Sequence, residues 1–194
     1  MRTGLKKELK EEILGNAFAY LVKTGLERVS VRELGKCLRG GSFSTLYTYF
    51  DDKDDCLIEA TRYGLYIVSG RIFAFARENF MDLDVLFAGL LDEVDKWKAD
   101  LRFVYQMAVS PVYGEKTRAM NEEGERANAE EIQKLADIAG CSAEEITSVI
   151  YNIIAVILGY VIWDSRALAE AQMRDLQCTL ERRLGRAHEI RTGE

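Results

Sequence analysis

Between Ser30 and Lys53 the chain reads SVRELGKCLRGGSFSTLYTYFDDK, a stretch dense in hydroxyls with a guanidinium near its start. Hydroxyl, guanidinium and free helix-terminal amide groups bind phosphate oxygens. Hydroxyls and small apolar groups read base edges and thymine methyls in the major groove of DNA. Ser30 and Arg32 are placed for the first task, and Ser44, Thr45, Thr48 and Tyr49 for the second. Catalytic chemistry has no comparable support. The sole histidine, His188, lies in a polar tail, no nucleophile has a base at useful spacing, and Gly40 and Gly41 are followed by no lysine–serine pair. Cys37, Cys56, Cys141 and Cys178 are scattered without a CxxC pair, which suits buried thiols in a reducing compartment. The expectation is a chain that is not an enzyme and uses no cofactor or metal.

Those side chains need two short helices set at an angle. Ser30 and Glu33 form an S-x-x-E capping box that opens a helix buried through Val31, Leu34 and Leu38. Gly40 and Gly41 stop it, because they accept backbone angles that a side chain forbids. Ser42 caps a third helix, Phe43 to Phe50, with Leu46, Phe50 and part of Tyr47 turned to a core. Ser44, Thr45, Thr48 and Tyr49 then face outward. Ahead of these, Leu5 to Thr24 is a helix with Leu9, Ile13, Leu14, Ala17, Phe18 and Leu21 on one face. Gly25 ends it in a left-handed conformation. This is the plan of a helix-turn-helix, whose second helix enters the major groove.

The remainder is helical as well. Asp52 or Asp54 opens a long fourth helix toward Asn79, about 37 Å at 1.5 Å per residue. Leu83 to Lys98 and Leu101 to Ser110 follow, the second ended by Pro111, then a polar helix from Lys116 to Ile138 ended by Gly140. Ser142 and Glu145 make a second capping box. The helix it opens, ITSVIYNIIAVILGYVIW, is apolar on nearly every side, so it is buried all round in a core or a subunit interface. Asp164 or Ser165 caps the last helix, with its stripe at Ala169, Met173, Leu176, Leu180 and Leu184 and a frayed tail after Gly185.

With 194 residues, 48% hydrophobic and one proline, the chain suits an all-α fold of about nine helices. No secretory signal is visible, and the apolar run from Ile153 to Trp163 is too short for a bilayer, which needs about 20 residues. A cytoplasmic protein with no membrane partner is expected. Net charge is −6, yet residues 1–53 carry +3, leaving −9 on the rest. A basic head on an acidic body fits a DNA reader with a separate second domain.

G-L-E-R-V-S-V-R-E-L (Gly25 to Leu34) and S-T-L-Y-T-Y-F-D-D-K (Ser44 to Lys53) resemble the TetR family of bacterial transcriptional regulators. That family's pattern is a glycine after helix one, T/S-V-R-x-I-A in helix two, then G-T-L-Y-x-Y-F-x-x-K-x-x-L. The resemblance covers roughly residues 8–60. The turn here is one residue longer than the usual G-V-S, Cys56 stands in for a leucine, and Phe43 replaces a frequent basic residue at the start of helix three.

The resemblance implies an N-terminal three-helix DNA-binding domain, residues 1–52, joined by a long helix to a larger ligand-binding and dimerisation domain, residues 53–194. Tyr47 and Lys53 match family residues that contact the phosphate backbone, and Phe43 joins the base-reading set. A homodimer reading a palindrome in double-stranded DNA is expected, paired through Val149, Ile150, Ile153, Ile157, Val161, Met173, Leu176 and Leu180 as a four-helix bundle. The alternative for that surface is a monomer's own core. A small-molecule effector would sit among helices four to seven, against Phe73, Trp97, Phe103, Tyr105, Gln106, Met107, Tyr113 and Asn152, each of which also serves as ordinary core or surface. Repression released by the effector is the family's usual action. The competing readings are an adaptor that uses the same fold to bind another protein and, more remotely, a helical enzyme.

Overall fold

The computed structural model describes residues 2–37 and 47–192. The fold is all-α, with no strand among the described residues. Helix α1 (Arg2–Thr24) buries Ile13, Leu14, Ala17, Phe18 and Leu21, one stripe at three- and four-residue spacing. It ends where the Gly25 N–H donates to the Leu21 carbonyl at 2.8 Å. Gly25 has φ 73° and ψ 165°. That is a positive φ with an extended ψ rather than the left-handed helical conformation expected, and it is a region essentially reserved for glycine. A 3-10 turn, Leu26–Arg28, leads to α2 (Val31–Cys37).

The Ser30 hydroxyl oxygen accepts from the Glu33 N–H at 3.1 Å, and the Glu33 carboxylate also pairs with Lys36 at 2.6 Å. Leu34 is fully buried. The glycine-rich turn and the start of helix three lie outside the described residues. Residues 47–49, the described part of α3, are helical, and Phe50 behind them is buried.

Helix α4 (Lys53–Asn79) is capped by Asp52, whose carboxylate accepts from the Asp55 N–H at 2.8 Å. The Asp55 carboxylate in turn accepts from the Asp51 N–H at 3.1 Å. Carboxylates at this end also complement the helix dipole, each contributing about 0.3–1 kcal/mol.

Four further helices and a last long one follow: α5 (Leu83–Asp95), α6 (Lys98–Val109), α7 (Gly114–Ala139), α8 (Ala143–Trp163) and α9 (Arg166–Thr192). The break between α5 and α6 comes earlier than the sequence pattern suggested. Lys96 and Trp97 make tightened hydrogen bonds back to Glu93 and Val94, at 3.2 and 2.9 Å, which closes α5. Both halves of the Ser142–Glu145 capping box form. Helix α9 continues through Gly185 to Thr192, where a frayed tail was expected. A glycine inside a helix costs about 1 kcal/mol and does not by itself break the ladder.

The chain divides into two compact units, Met1–Gly70 with Ala99–Asn121, and Arg71–Lys98 with Glu122–Glu194. The first extends well past residue 52. Its core joins Ile13, Leu14, Ala17, Phe18 and Leu21 of α1 to Leu34, Phe50, Cys56, Leu57 and Ala60, and to Phe103, Val104 and Met107 of α6. Phe18 is the wedge of this core. It meets Phe103 edge to face at 5.9 Å, and its ring fills the space over Gly64, where a Cβ would overlap it.

In the second unit α9 packs on both α8 and α5. Helix α5 buries Leu86, Phe87, Leu90, Leu91 and Val94, and α8 buries Ile146, Val156, Ile157, Tyr160 and Val161. Arg166 ties the start of α9 to Asp92 and Asp95 of α5, at 2.5 and 2.7 Å. The Tyr160 hydroxyl donates to Asp95 at 2.6 Å. Lys98 pairs with Asp164 and lies 3.6 Å from the centre of the Tyr160 ring.

Two findings bear on the sequence expectation for α8. The Ile153–Trp163 run lies within a 21-residue helix whose most apolar 18-residue window has a mean hydropathy of 2.0, long and apolar enough by length and composition to cross a membrane. It is the one such helix among the described residues. Only 22% of its most apolar window is buried within the single chain, so the chain's own core does not surround it.

Candidate nucleic-acid interface

Of the residues expected to meet DNA, Phe43, Ser44 and Thr45 lie outside the described residues. The others fall in the first compact unit. Ser30 is exposed and caps α2, and Arg32 is exposed in the first turn of that helix. Tyr47 is 49% exposed and Thr48 is exposed, while Tyr49 is partly buried and packs on the core. The two tyrosines therefore exchange the parts that periodicity suggested: Tyr49 leans inward and Tyr47 outward. Phe50 is buried in both arrangements, and it is Tyr49 that packs on the shared core.

Lys53 is the first residue of α4 and is partly buried. Four carboxylates flank it in sequence: Asp51, Asp52, Asp54 and Asp55. Three of them are engaged. Asp52 and Asp55 cap the helix start, and Asp54 accepts from the Tyr113 hydroxyl at 2.8 Å. Sequence reading missed this last contact, whose partners stand 59 positions apart. Burial, followed by the bond to Asp54, pushes the Tyr113 hydroxyl up to about 12, so the tyrosine keeps its proton as a donor. Cys56, one turn on, is a buried thiol pushed up to about 12 by burial and then by Asp55, which makes it unreactive.

The expected effector-pocket residues divide between the two units. In the first, Phe103 and Met107 belong to the core around Phe18, Tyr113 holds Asp54, Tyr105 is partly buried and Gln106 is exposed. In the second, Phe73 is exposed, the Trp97 indole donates to Glu93 at 3.2 Å, and the exposed Asn152 amide donates to the Ser148 carbonyl at 2.8 Å. Asn152 also lines an open groove between α8 and α9 with Gln172, Asp175 and Thr179. Among the described residues no three His, Cys, Asp or Glu side chains converge on a common metal position.

The expected pairing surface is corrected in part. Ile157, Val161, Met173 and Leu180 are buried within the chain, and Val149, Ile150, Ile153 and Leu176 are partly buried. The exposed apolar side of α8 carries Tyr151, Ile154, Ile162 and Trp163 instead, with Leu168 across the turn. Trp163 is 77% exposed.

Comparison with protein-family models, with curated protein sequences and with solved structures finds no match.

Proposed function

We propose that this protein is a DNA-binding transcriptional regulator of the TetR type that works as a homodimer in the cytoplasm. The observation that supports this most is the arrangement of one compact unit. A glycine-terminated α1, the Ser30-capped α2, the exposed Tyr47 and Thr48, and Lys53 at the capped start of α4 all fall in that unit. Exposed Ser30 and Arg32 hold one phosphate, Tyr47 and Lys53 hold others, and Thr48 reads base edges with Phe43, Ser44 and Thr45. One such head covers too few base pairs for specificity. A dimer places two heads one DNA turn apart, about 34–36 Å, on a palindrome. The exposed apolar side of α8, with Ile154 and Ile162, and Leu168 at the start of α9 supply the pairing surface. A small molecule that binds the two dimer states with different affinity shifts the separation of the heads and releases DNA.

Selection of bound fragments from genomic DNA, at low salt and without added small molecule, tests the reading. Enrichment of a palindrome is expected. Lys53→Ala is expected to weaken binding on all sequences alike and to lower the salt slope by about 1. No retained DNA at low salt overturns the reading. The adaptor reading draws on Val109 and Val112, exposed beside the α6–α7 turn, but single exposed apolar residues are ordinary on protein surfaces.

A further inference from the structure

The turn between α6 and α7 is built more firmly than a connection requires. The Ser110 hydroxyl oxygen accepts from the N–H groups of Val112 and Tyr113 at 3.2 and 3.3 Å, and the Ser110 carbonyl accepts from the Gly114 N–H at 2.8 Å. The Tyr113 carbonyl accepts from both the N–H and the hydroxyl of Thr117, at 2.9 and 3.0 Å. Gly114 closes the turn where a Cβ would come within 2.8 Å of the Ala108 carbonyl oxygen, so a larger residue does not fit without moving the backbone. Tyr113 is thus fixed on both sides of its own backbone. Its ring packs on the core of the first unit, and its hydroxyl ends on Asp54 in the first turn of α4.

We propose that Tyr113 is a positioning residue for Lys53: the α6–α7 turn holds the first turn of α4 in the orientation from which Lys53 meets a DNA phosphate. The proposal rests on the DNA-binding reading and adds to it a regulatory point. Asp52 and Asp55 hold the start of α4 only to its own neighbours in sequence. Tyr113 adds a hydrogen bond from a distant element, so a displacement of the start of α7 loosens the turn that carries Lys53, although Cys56 and Leu57 behind it stay in the core. A hydrogen bond to a charged acceptor, made in a partly buried place, is strong enough to matter and weak enough to be broken by a bound effector.

The test uses the full chain. Tyr113→Phe keeps the ring and removes only the hydroxyl. Asp54→Asn keeps an acceptor, and Asp54→Ala removes it, while both remove the same charge. Amide hydrogen exchange at residues 53–57 is expected to quicken in Tyr113→Phe and Asp54→Ala and to stay near wild type in Asp54→Asn. Affinity for a mixed-sequence DNA duplex at low salt is expected to fall about fivefold in Tyr113→Phe. In the Lys53→Ala background the same change is expected to have no further effect, because a residue acting through Lys53 has nothing left to position. A purely structural tyrosine gives equal losses in both backgrounds and overturns the proposal, as does unchanged exchange at residues 53–57. Wild-type protein that binds no duplex, with exchange still faster in Tyr113→Phe, overturns the role for Lys53 and the DNA reading together while leaving the contact as an architectural one.

Discussion

Helices α1 and α8 are both rich in apolar residues, and they behave differently. In α1 the apolar positions recur on one side and charged residues fill the other. The buried set, Ile13 to Leu21, is the set that periodicity marks except for Leu9, which is only partly buried. In α8 nearly every position from Ile146 to Trp163 is apolar, and no polar face says which side is inside. The chain buries Val156, Ile157, Tyr160 and Val161 there and leaves Ile154, Ile162 and Trp163 exposed. A periodic pattern carries information about burial only where two kinds of face exist. An all-apolar helix receives its inside from its neighbours, here α9.

The contrast can be broken by substitution. Leu21→Ala in α1 removes a fully buried side chain and is expected to cost about 2–5 kcal/mol in a urea melt. Ile157→Ala in α8 belongs to the same class, at the lower part of that range, since 6% of it remains exposed. If Ile157→Ala costs no more than Ile154→Ala, the buried and exposed sides of α8 have been assigned wrongly.

Gly64→Ala sharpens the α1 side of the contrast. Its Cβ forces the Phe18 ring out of the wedge between α4 and α6, for an expected loss of about 1–3 kcal/mol. A neutral result would mean that the ring relocates freely and that the core is less closely fitted than described.

On the other side of α8, Ile154→Asp combined with Ile162→Asp is expected to change fold stability by no more than about 1 kcal/mol. The same pair should shift sedimentation from dimer to monomer with helical content retained. Sedimentation unchanged from wild type would remove this face from the pairing surface.

The smallest effect concerns Cys56. An alkylating reagent at neutral pH should modify the exposed Cys178 and spare Cys56. The Cys56 thiol is raised from 9.0 to about 12, so the unfolded chain ionises first as pH rises. The stabilisation is complete below pH 9.0 and is lost as pH climbs through about 12. Tyr113 adds a loss of the same sign, between 10.0 and about 12. Urea midpoints that hold steady across this window would contradict both.

The charged clusters separate in the same way as the helices. At the start of α4, Asp52 and Asp55 bond within a few residues of themselves, and a cap there was legible in the sequence. At the start of α9, Arg166 meets Asp92 and Asp95 across 74 and 71 positions, which no spacing rule reaches. Tyr49 and Tyr47 show the limit on a smaller scale. Both lie on a short helix with aromatic neighbours on each side, so the sequence offers two registers. The core around α1 takes Tyr49 and leaves Tyr47 exposed.

Taken by itself, then, the sequence determined the all-α fold, the stripe of α1, the break at Gly25, the caps at Ser30 and Ser142, and a cap of α4 at Asp52 or Asp54. These rest on hydrogen bonds and periodicities that close within one or two turns of chain. Only the tertiary structure decided which side of α8 faces inward, that Phe103 and Met107 of α6 join the core of α1, and that Tyr113 holds the turn carrying Lys53. Those depend on where distant helices come to lie, and composition and spacing along one helix do not encode its neighbours.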